Sequence, residues 1–448
     1  MKNALAVFIT MTLILASCSR APSSPTETRI AQPSATSRPG VTAQADAPPG
    51  SRLAGSHVTI LTSLPPDQLS LFQKQLASLL AVTGIDVSIE NAQAFETQAL
   101  ARSEAGDPYD LLLFPHPSLM IKMGRRGYLV DIGRFITTSE MREAYPQTWI
   151  DAGTVDGQPF GVLHGAEVKS LVWYPRPAFE AAGYRVPETW HDLLALSDQI
   201  VADGGVPWCI SLENDQPDGG PGTDWIEDIM LRTTPASSYD AWTLGELSFD
   251  SPELRNAFSV LERIWQEPEY VFGGSTRILT STQADARLPL LNDPPGCFLY
   301  RHAAAEAGDL PEGKKIGTDV AYFYLPPIDS AFGRPVLGSG TFIGLSKDTP
   351  AGRQVIKFML TAASVEAEVK AGELLSPING VPPSWYPSDT QRSLAEILRS
   401  ADPFRIDGSV LMPDLVGTGS FPAGVRAFVR GEALEVVLQS IDSGWPRP

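Results

Sequence analysis

Five segments between residues 57 and 117 limit the fold more than any bulk property of the chain. HVTILTSL is an apolar run of strand length. PDQLSLFQKQLASLLAVTG follows, with proline near its start and glycine at its end, the punctuation of a helix. IDVSIENA is a second strand, FETQALARSEAG a second helix and YDLLLFPHP a third strand. A β-α-β-α-β order carries helical crossovers, so it predicts an α/β fold with a mainly parallel sheet covered on both faces. In such sheets ligands bind beyond the C-terminal ends of the strands. That puts Ser63, Asn91 and His116 around a cleft.

The remaining chain repeats the theme less regularly. After a turn at VDGQPFG, the stretch VKSLVWYP reads as a strand. Its alternation sets Lys169, Leu171 and Trp173 on one face and Ser170, Val172 and Tyr174 on the other. Apolar residues on both faces predict a buried strand of a two-sided sheet rather than an aromatic platform. His164 and Glu167, in the segment read as the turn before it, and Lys169 at its head are expected nearer the cleft. A helix is predicted over 189–202, a strand at PWCIS and a helix starting near Asp224. Leu254, Phe258, Leu261 and Trp265 recur at helical spacing. GCFLYR reads as another strand, and DVAYFYLPP and PVLGSGTFIGLS as a pair leaving this second lobe. The last hundred residues read as mostly helical. A chain of 448 residues is long enough for two cores. A first lobe, a second lobe and returning strands describe two domains joined by several crossings, the layout of a hinge.

With 34 basic against 52 acidic residues, the net charge is −18, which argues against a nucleic-acid partner. Lys2, an apolar run over 4–16 and LASCS have the layout of a secretory signal. The run is shorter than the ~20 residues of a permanent membrane helix. LASC is also similar to a bacterial lipobox, which would make Cys18 the lipidated first residue; the alternative is an ordinary signal with a chance cysteine. Residues 19–55 are rich in Ser, Thr, Pro and Ala and hold little to bury, so a disordered tether is expected. Cys209 and Cys297 remain. In an oxidising compartment such a pair favours a disulfide, the alternative being two buried thiols.

Most catalytic signatures are missing. GDLPEGKK, residues 308–315, has phosphate-loop spacing, but Lys315 stands where a hydroxyl should hold a metal and no strand precedes it. The histidines at 57, 116, 164, 191 and 302 never fall at metal-binding helical spacing. No G-x-S-x-G elbow occurs. The acidic stretch SLENDQPDGGPGTDWIED carries Glu213, Asp215, Asp218 and Asp224 beside Trp225. Three readings fit it: a glycosidase carboxylate pair, a solvated turn with Asp224 at a helix start, and a sugar site combining hydroxyl acceptors with a flat ring.

KSLVWYP, AFEAAGYRVPETWHDLLALSDQIVADGGVPWCI, TDWIEDIMLRT, DPPGCFLYRH, GTDVAYFYLPPID, LLSPINGV and AEILRSADPFRIDGSVLMPDLVGTGSF together resemble the extracellular solute-binding proteins of bacterial ABC importers, most closely the alpha-glucoside-type carbohydrate branch. The resemblance runs in order over about 157–445. It implies a two-lobe, type II periplasmic-binding-protein-like fold with hinge-crossing strands, a Cys209–Cys297 bridge, a sugar (an oligosaccharide or glucoside) in the cleft and delivery to a permease. The expected layout is a signal peptide over 1–17 and a tether over 18–55. Lobe one takes 56–165 plus about 325–375, and lobe two takes 166–324 plus about 376–448. The expected ligand-binding set is His116, Glu167, Glu213, Asp215, Asp224, Trp225, Phe298, Arg301, Gly340 and Phe421. No metal or cofactor is expected, and the protein is expected to be a monomer, lipid-anchored outside the cytoplasm. The chain departs from the family where Gly219 and Gly220 precede Pro221, where Pro422 follows GTGSF and where Phe298 stands in GCF. Relatives commonly carry tryptophan there, so a smaller or different ligand is implied. The alternatives are a secreted glycoside-active enzyme using Glu213, Asp215 and Asp224, and a receptor of the same fold for a non-sugar solute.

Overall fold

The computed structural model describes residues 53–212, 220–304 and 310–446. The strands are β1 (His57–Thr62), β2 (Asp86–Asn91), β3 (Leu111–Phe114), β4 (Thr154–Val155), β5 (Gln158–Pro159) and β6 (Gly161–Val168). Then come β7 (Leu171–Tyr174), β8 (Trp208–Cys209), β9 (Leu299–Arg301), β10 (Ala321–Tyr324), β11 (Val336–Leu345) and β12 (Phe404–Ile406). The larger sheet has the order β12-β11-β3-β1-β2, with β6 also paired to β11, and the smaller one runs β10-β7-β9-β8.

The first five elements form as their sequence predicts. β1 pairs in parallel with β2 and β3. The first helix, Pro66–Thr83, buries Phe72, Leu76 and Leu79 and ends on Gly84, whose positive φ of 69° suits a residue without a Cβ. Helix Pro252–Trp265 buries Leu254, Phe258, Leu261 and Trp265, and its Ser251 cap accepts the Leu254 N–H. Cys209 and Cys297 form a disulfide, with Cα atoms 5.7 Å apart.

VKSLVWYP is not one strand. β6 ends at Val168 in the larger sheet, β7 begins at Leu171 in the smaller, and Lys169–Ser170 is the step between them. Beyond that step both faces of β7 are buried: Leu171 and Trp173 join one apolar cluster and Val172 the other. The segment before it is strand rather than turn. His164 lies inside β6, 1% exposed, with Nε2 2.8 Å from a carboxylate oxygen of the equally buried Glu368. It sits in the core, away from the cleft expected for it.

Two crossings differ from expectation. β10 stays in the smaller sheet, antiparallel to β7, so only β11 passes back to the larger one. β12 pairs with β11, and Ile378, Leu394, Leu398, Phe404 and Ile406 pack into the first cluster. Residues 376–406 therefore belong with the larger sheet, and the last crossing falls after Ile406. The apolar periodicity of helix Asp389–Arg399 shows that it packs but not against which sheet.

Candidate functional site

The two sheets meet at Lys169–Ser170, where chemistry concentrates. Lys169 N–H donates to Leu337 O at 2.8 Å, and the Ser170 hydroxyl accepts the Leu337 N–H at 2.8 Å. Both steps between the sheets, at Lys169–Ser170 and before β11, are thus tied side by side. On the larger sheet β11 lies close against β6. A Cβ on Gly340 would meet Leu163 at 2.5 Å and the Gly165 carbonyl at 2.9 Å, and one on Gly338 would meet the Glu167 carbonyl at 2.2 Å. Glycine is required at both places by that approach. Beside them the Ser339 hydroxyl donates to Glu167 at 2.9 Å.

Helix Gly220–Thr233 packs against the step and is buried on every side. Its carboxylates Asp224, Glu227 and Asp228 fall within two turns and meet cations from distant segments. Lys169 Nζ lies 3.1 Å from Asp224 and also pairs with Asp407. Arg301, at the end of β9, reaches Asp224 at 3.0 Å and pairs with Asp228. Arg232 donates to Asp228 at 2.6 Å, to Leu325 O at 2.9 Å and to Pro335 O at 3.2 Å. Ser170 donates to Asp228 at 2.5 Å. Glu227 accepts the backbone N–H groups of Gly408 and Ser409 at 2.9 and 3.0 Å. The junction therefore binds both crossings, and the chain leaving β12, to one helix of the second lobe.

Burial alone would push the Lys169 ammonium down, but the charges of Asp224 and Asp407 hold it well above its ordinary value. Burial opposes ionisation of Asp407 and Asp228 too, yet Lys169 beside the first and Arg232 and Arg301 beside the second keep both carboxyls low. Glu227 is pushed well up, first by burial and then by the nearby Asp407 and Asp224. Asp224 is also pushed up, first by burial, with Lys169 and Arg301 opposing the shift and Asp407 adding to it. Asp224, Glu227 and Asp407 bring carboxylate oxygens within 4.8 Å of one another, the spacing of a metal site. The Lys169 ammonium lies among them, paired with Asp224 and Asp407.

Of the residues singled out in the sequence, Glu167, Asp224, Trp225, Arg301 and Gly340 gather at this junction. His116 stands apart, at the end of β3, where it begins helix Pro117–Arg125 and lies 2.9 Å from the Ser118 hydroxyl. Glu213 and Asp215 lie outside the described residues, as do Asp218 and Gly219. Two aromatic expectations are corrected. Trp225 is 1% exposed, edge-on to Trp208 and Trp265 and beneath the Arg301 guanidinium, so its faces are taken. Phe421 is fully buried against Trp242 and Phe249. Phe298 stays half-buried, with its ring edge-on to Tyr184. Asp224 is likewise occupied, held by two cations rather than offered to a ligand or to acid–base chemistry.

Sequence reasoning missed Glu227, Asp228, Arg232 and Asp407. TDWIEDIMLR held a usable signal, since charged residues at three- and four-residue steps share a face of an otherwise apolar helix. Asp407 had none, because its partner is reached only through the fold. A cavity of about 290 Å³ also exists, bordered by Arg125, Thr148, Asp240, Phe404 and Leu411, and none of the expected ligand residues lines it.

The chain is similar to characterised proteins over most of its length. The model of the family described as bacterial extracellular solute-binding protein matches residues 71–366. The osmoprotective compounds-binding protein GgtB of Synechocystis sp. is 37% identical over 390 residues, covering 87% of this chain and 92% of that protein. The alpha-glucosides-binding periplasmic protein AglE of Rhizobium meliloti is 34% identical over 405 residues, covering 88% of each. Among solved structures, the bacterial solute receptor AcbH superposes with a TM-score of 0.74 at 16% identity, over 87% of this chain and 98% of that one. A family 1 extracellular solute-binding protein from Bifidobacterium longum subsp. infantis gives 0.69 at 14% identity, over 88% and 99%. At these identities the structures speak for the fold, the two-lobe α/β type II architecture with strands crossing between lobes.

Proposed function

We infer what this chain does from the family to which it belongs, the bacterial extracellular solute-binding proteins. Members are receptors rather than enzymes and work outside the cytoplasm, and this chain is a solute-binding receptor of an ABC importer. We propose that its solute is a sugar or glucoside, held between the lobes and handed to a membrane permease. One observation carries this reading: two receptors that it matches along nearly their whole length are named for osmoprotective compounds and for alpha-glucosides. The ligand-facing groups we assign are His116 from the first lobe and Glu167 and Gly340 at the crossing, with Glu213 and Asp215 from the second. Asp224 and Arg301 act one layer behind, as the charged support of that surface.

We assign Cys18 as the lipid attachment point and residues 19–55 as the tether, from the lipobox-like LASC and the composition that follows it. Among the described residues no helix is long and apolar enough to cross a membrane.

A thermal-shift screen of the full-length protein in detergent tests the reading, with monosaccharides, alpha-glucosides and amino acids as probes. A specific sugar at 100 times its dissociation constant should add about 2.7 kcal/mol of stability. Stabilisation by an amino acid and by no sugar would refute the sugar assignment and leave a receptor of the same fold for another solute.

A further inference from the structure

The cavity of about 290 Å³ beside β12 has its walls on different lobes. One wall carries Arg125 and Asp151, from helices of the first lobe. The other carries Asp240, in helix Ala236–Thr243, and Leu244 just after it; that helix buries Tyr239 and Trp242 in the second apolar cluster. Phe404 of β12, stacked on Trp149, also lines it. The cavity is not the cleft. His116 and Arg125 stand at opposite ends of one helix, about 13 Å long. Helix Gly408–Leu411 packs against that helix, and its Leu411 borders the cavity.

Most polar groups of the lining are already engaged. Arg125 lies 3.1 Å from Asp156, and Arg405 holds both oxygens of Asp240 at 2.6 and 2.9 Å. Thr148 exchanges hydrogen bonds with the Phe404 backbone, and Thr243 donates to Asp240 O. A polyhydroxyl ring would find few unused partners here. Asp151 is different. It accepts from Gln147 Nε2 at 2.8 Å and has no cation partner among the described residues. The lining thus carries one more carboxylate than guanidinium. Leu244, 51% exposed, offers apolar surface on the facing wall.

We propose that this crevice is a second binding site, for a small organic cation with an apolar body, an amine or quaternary ammonium. Its charge faces Asp151 and its body lies on Leu244 and Phe404. Such an occupant touches both lobes, so it favours the hinge angle at which both walls reach it. Any ligand that moves the lobes is then coupled to it. The site does not depend on which solute the cleft takes.

Calorimetric titration of the full-length protein in detergent tests this, with benzylamine as the probe and benzoate as a control of similar size and opposite charge. Benzylamine should bind and benzoate should not. Asp151→Asn keeps the oxygen that accepts from Gln147 and removes the charge, so it should weaken benzylamine roughly fivefold or more. Leu244→Ala, on the other wall, should weaken it roughly threefold or more. Both side chains are exposed, and urea unfolding of each variant should match that of the parent. No benzylamine binding, equal binding of benzoate, or affinity untouched by Asp151→Asn would overturn the site. A loss in Asp151→Asn but none in Leu244→Ala would put the probe on one lobe and overturn the bridging.

Discussion

Lys169→Met should be among the most damaging single changes in the smaller lobe. Asp224 keeps Arg301 at 3.0 Å, but Asp407 loses its one ion-pair partner among the described residues and retains the Ser409 N–H and hydroxyl and its hydrogen bond with Glu227. Removing one member of a buried pair costs about 3–5 kcal/mol. Proton uptake caps the loss. A carboxyl that takes up a proton sheds the charge that burial penalises. The pH dependence has a definite sign. In the native protein the depressed Asp407 contributes stability above the unfolded carboxyl pKa and loses it as pH falls through the folded value. In the variant its folded pKa is raised, so the penalty is fully present at neutral pH and fades towards acid. Urea unfolding followed by circular dichroism, at pH 7.5 and pH 4.5, should show a large deficit at the first and a smaller one at the second. Adding Asp407→Asn should restore much of the loss, because two neutral side chains replace an orphaned charge. A deficit below about 1 kcal/mol, or one independent of pH, would refute the buried-junction reasoning.

Asp224→Ala, which strips a partner from both Lys169 and Arg301, should lower stability by about 3–5 kcal/mol, with ligand affinity altered only as far as the fold is; a loss of binding without loss of stability in urea would return Asp224 to the cleft. Thiol titration of the denatured, unreduced protein should detect no more than one free thiol, since Cys209 and Cys297 are joined; removing both by Ala substitution should cost about 2–5 kcal/mol. Cys18→Ala should release the protein from membranes or leave it unprocessed, and an unchanged membrane fraction would sink the lipid-anchor assignment. Small-angle scattering with a saturating sugar should show a smaller radius of gyration; a tight ligand that changed nothing would count against closure in solution unless the free form were already closed.

The sequence was most informative where one residue's environment depends on near neighbours. Pro66 and Gly84 bracket their helix, and the spacing of Leu254, Phe258, Leu261 and Trp265 marks a single face. β7 announced two buried faces through two sets of apolar side chains. The reading failed where the deciding partner is distant. The acidic stretch SLENDQPDGGPGTDWIED fits a carboxylate pair, a solvated turn or a sugar site, yet cations from β9 and from the step after β6 let the whole helix that begins there be buried. Trp225 went inside with it. Strand assignment failed similarly, since FRI at 404–406 is too short to declare a sheet, and its place is set by the free edge beside β11.

The position of β11 has a consequence for how the protein is made. Three strands of the larger sheet hydrogen-bond to it, and Phe342 sits opposite Phe114 from a much earlier part of the chain. Until residues 336–345 emerge from the ribosome, β3 has one neighbour missing and β6 lacks its partner altogether. Contacts this distant in sequence close slowly. For a chain that works outside the cytoplasm, slowness is useful. Most of the polypeptide can be threaded through a translocation channel before its central strand exists, and the sheet then completes itself on the far side.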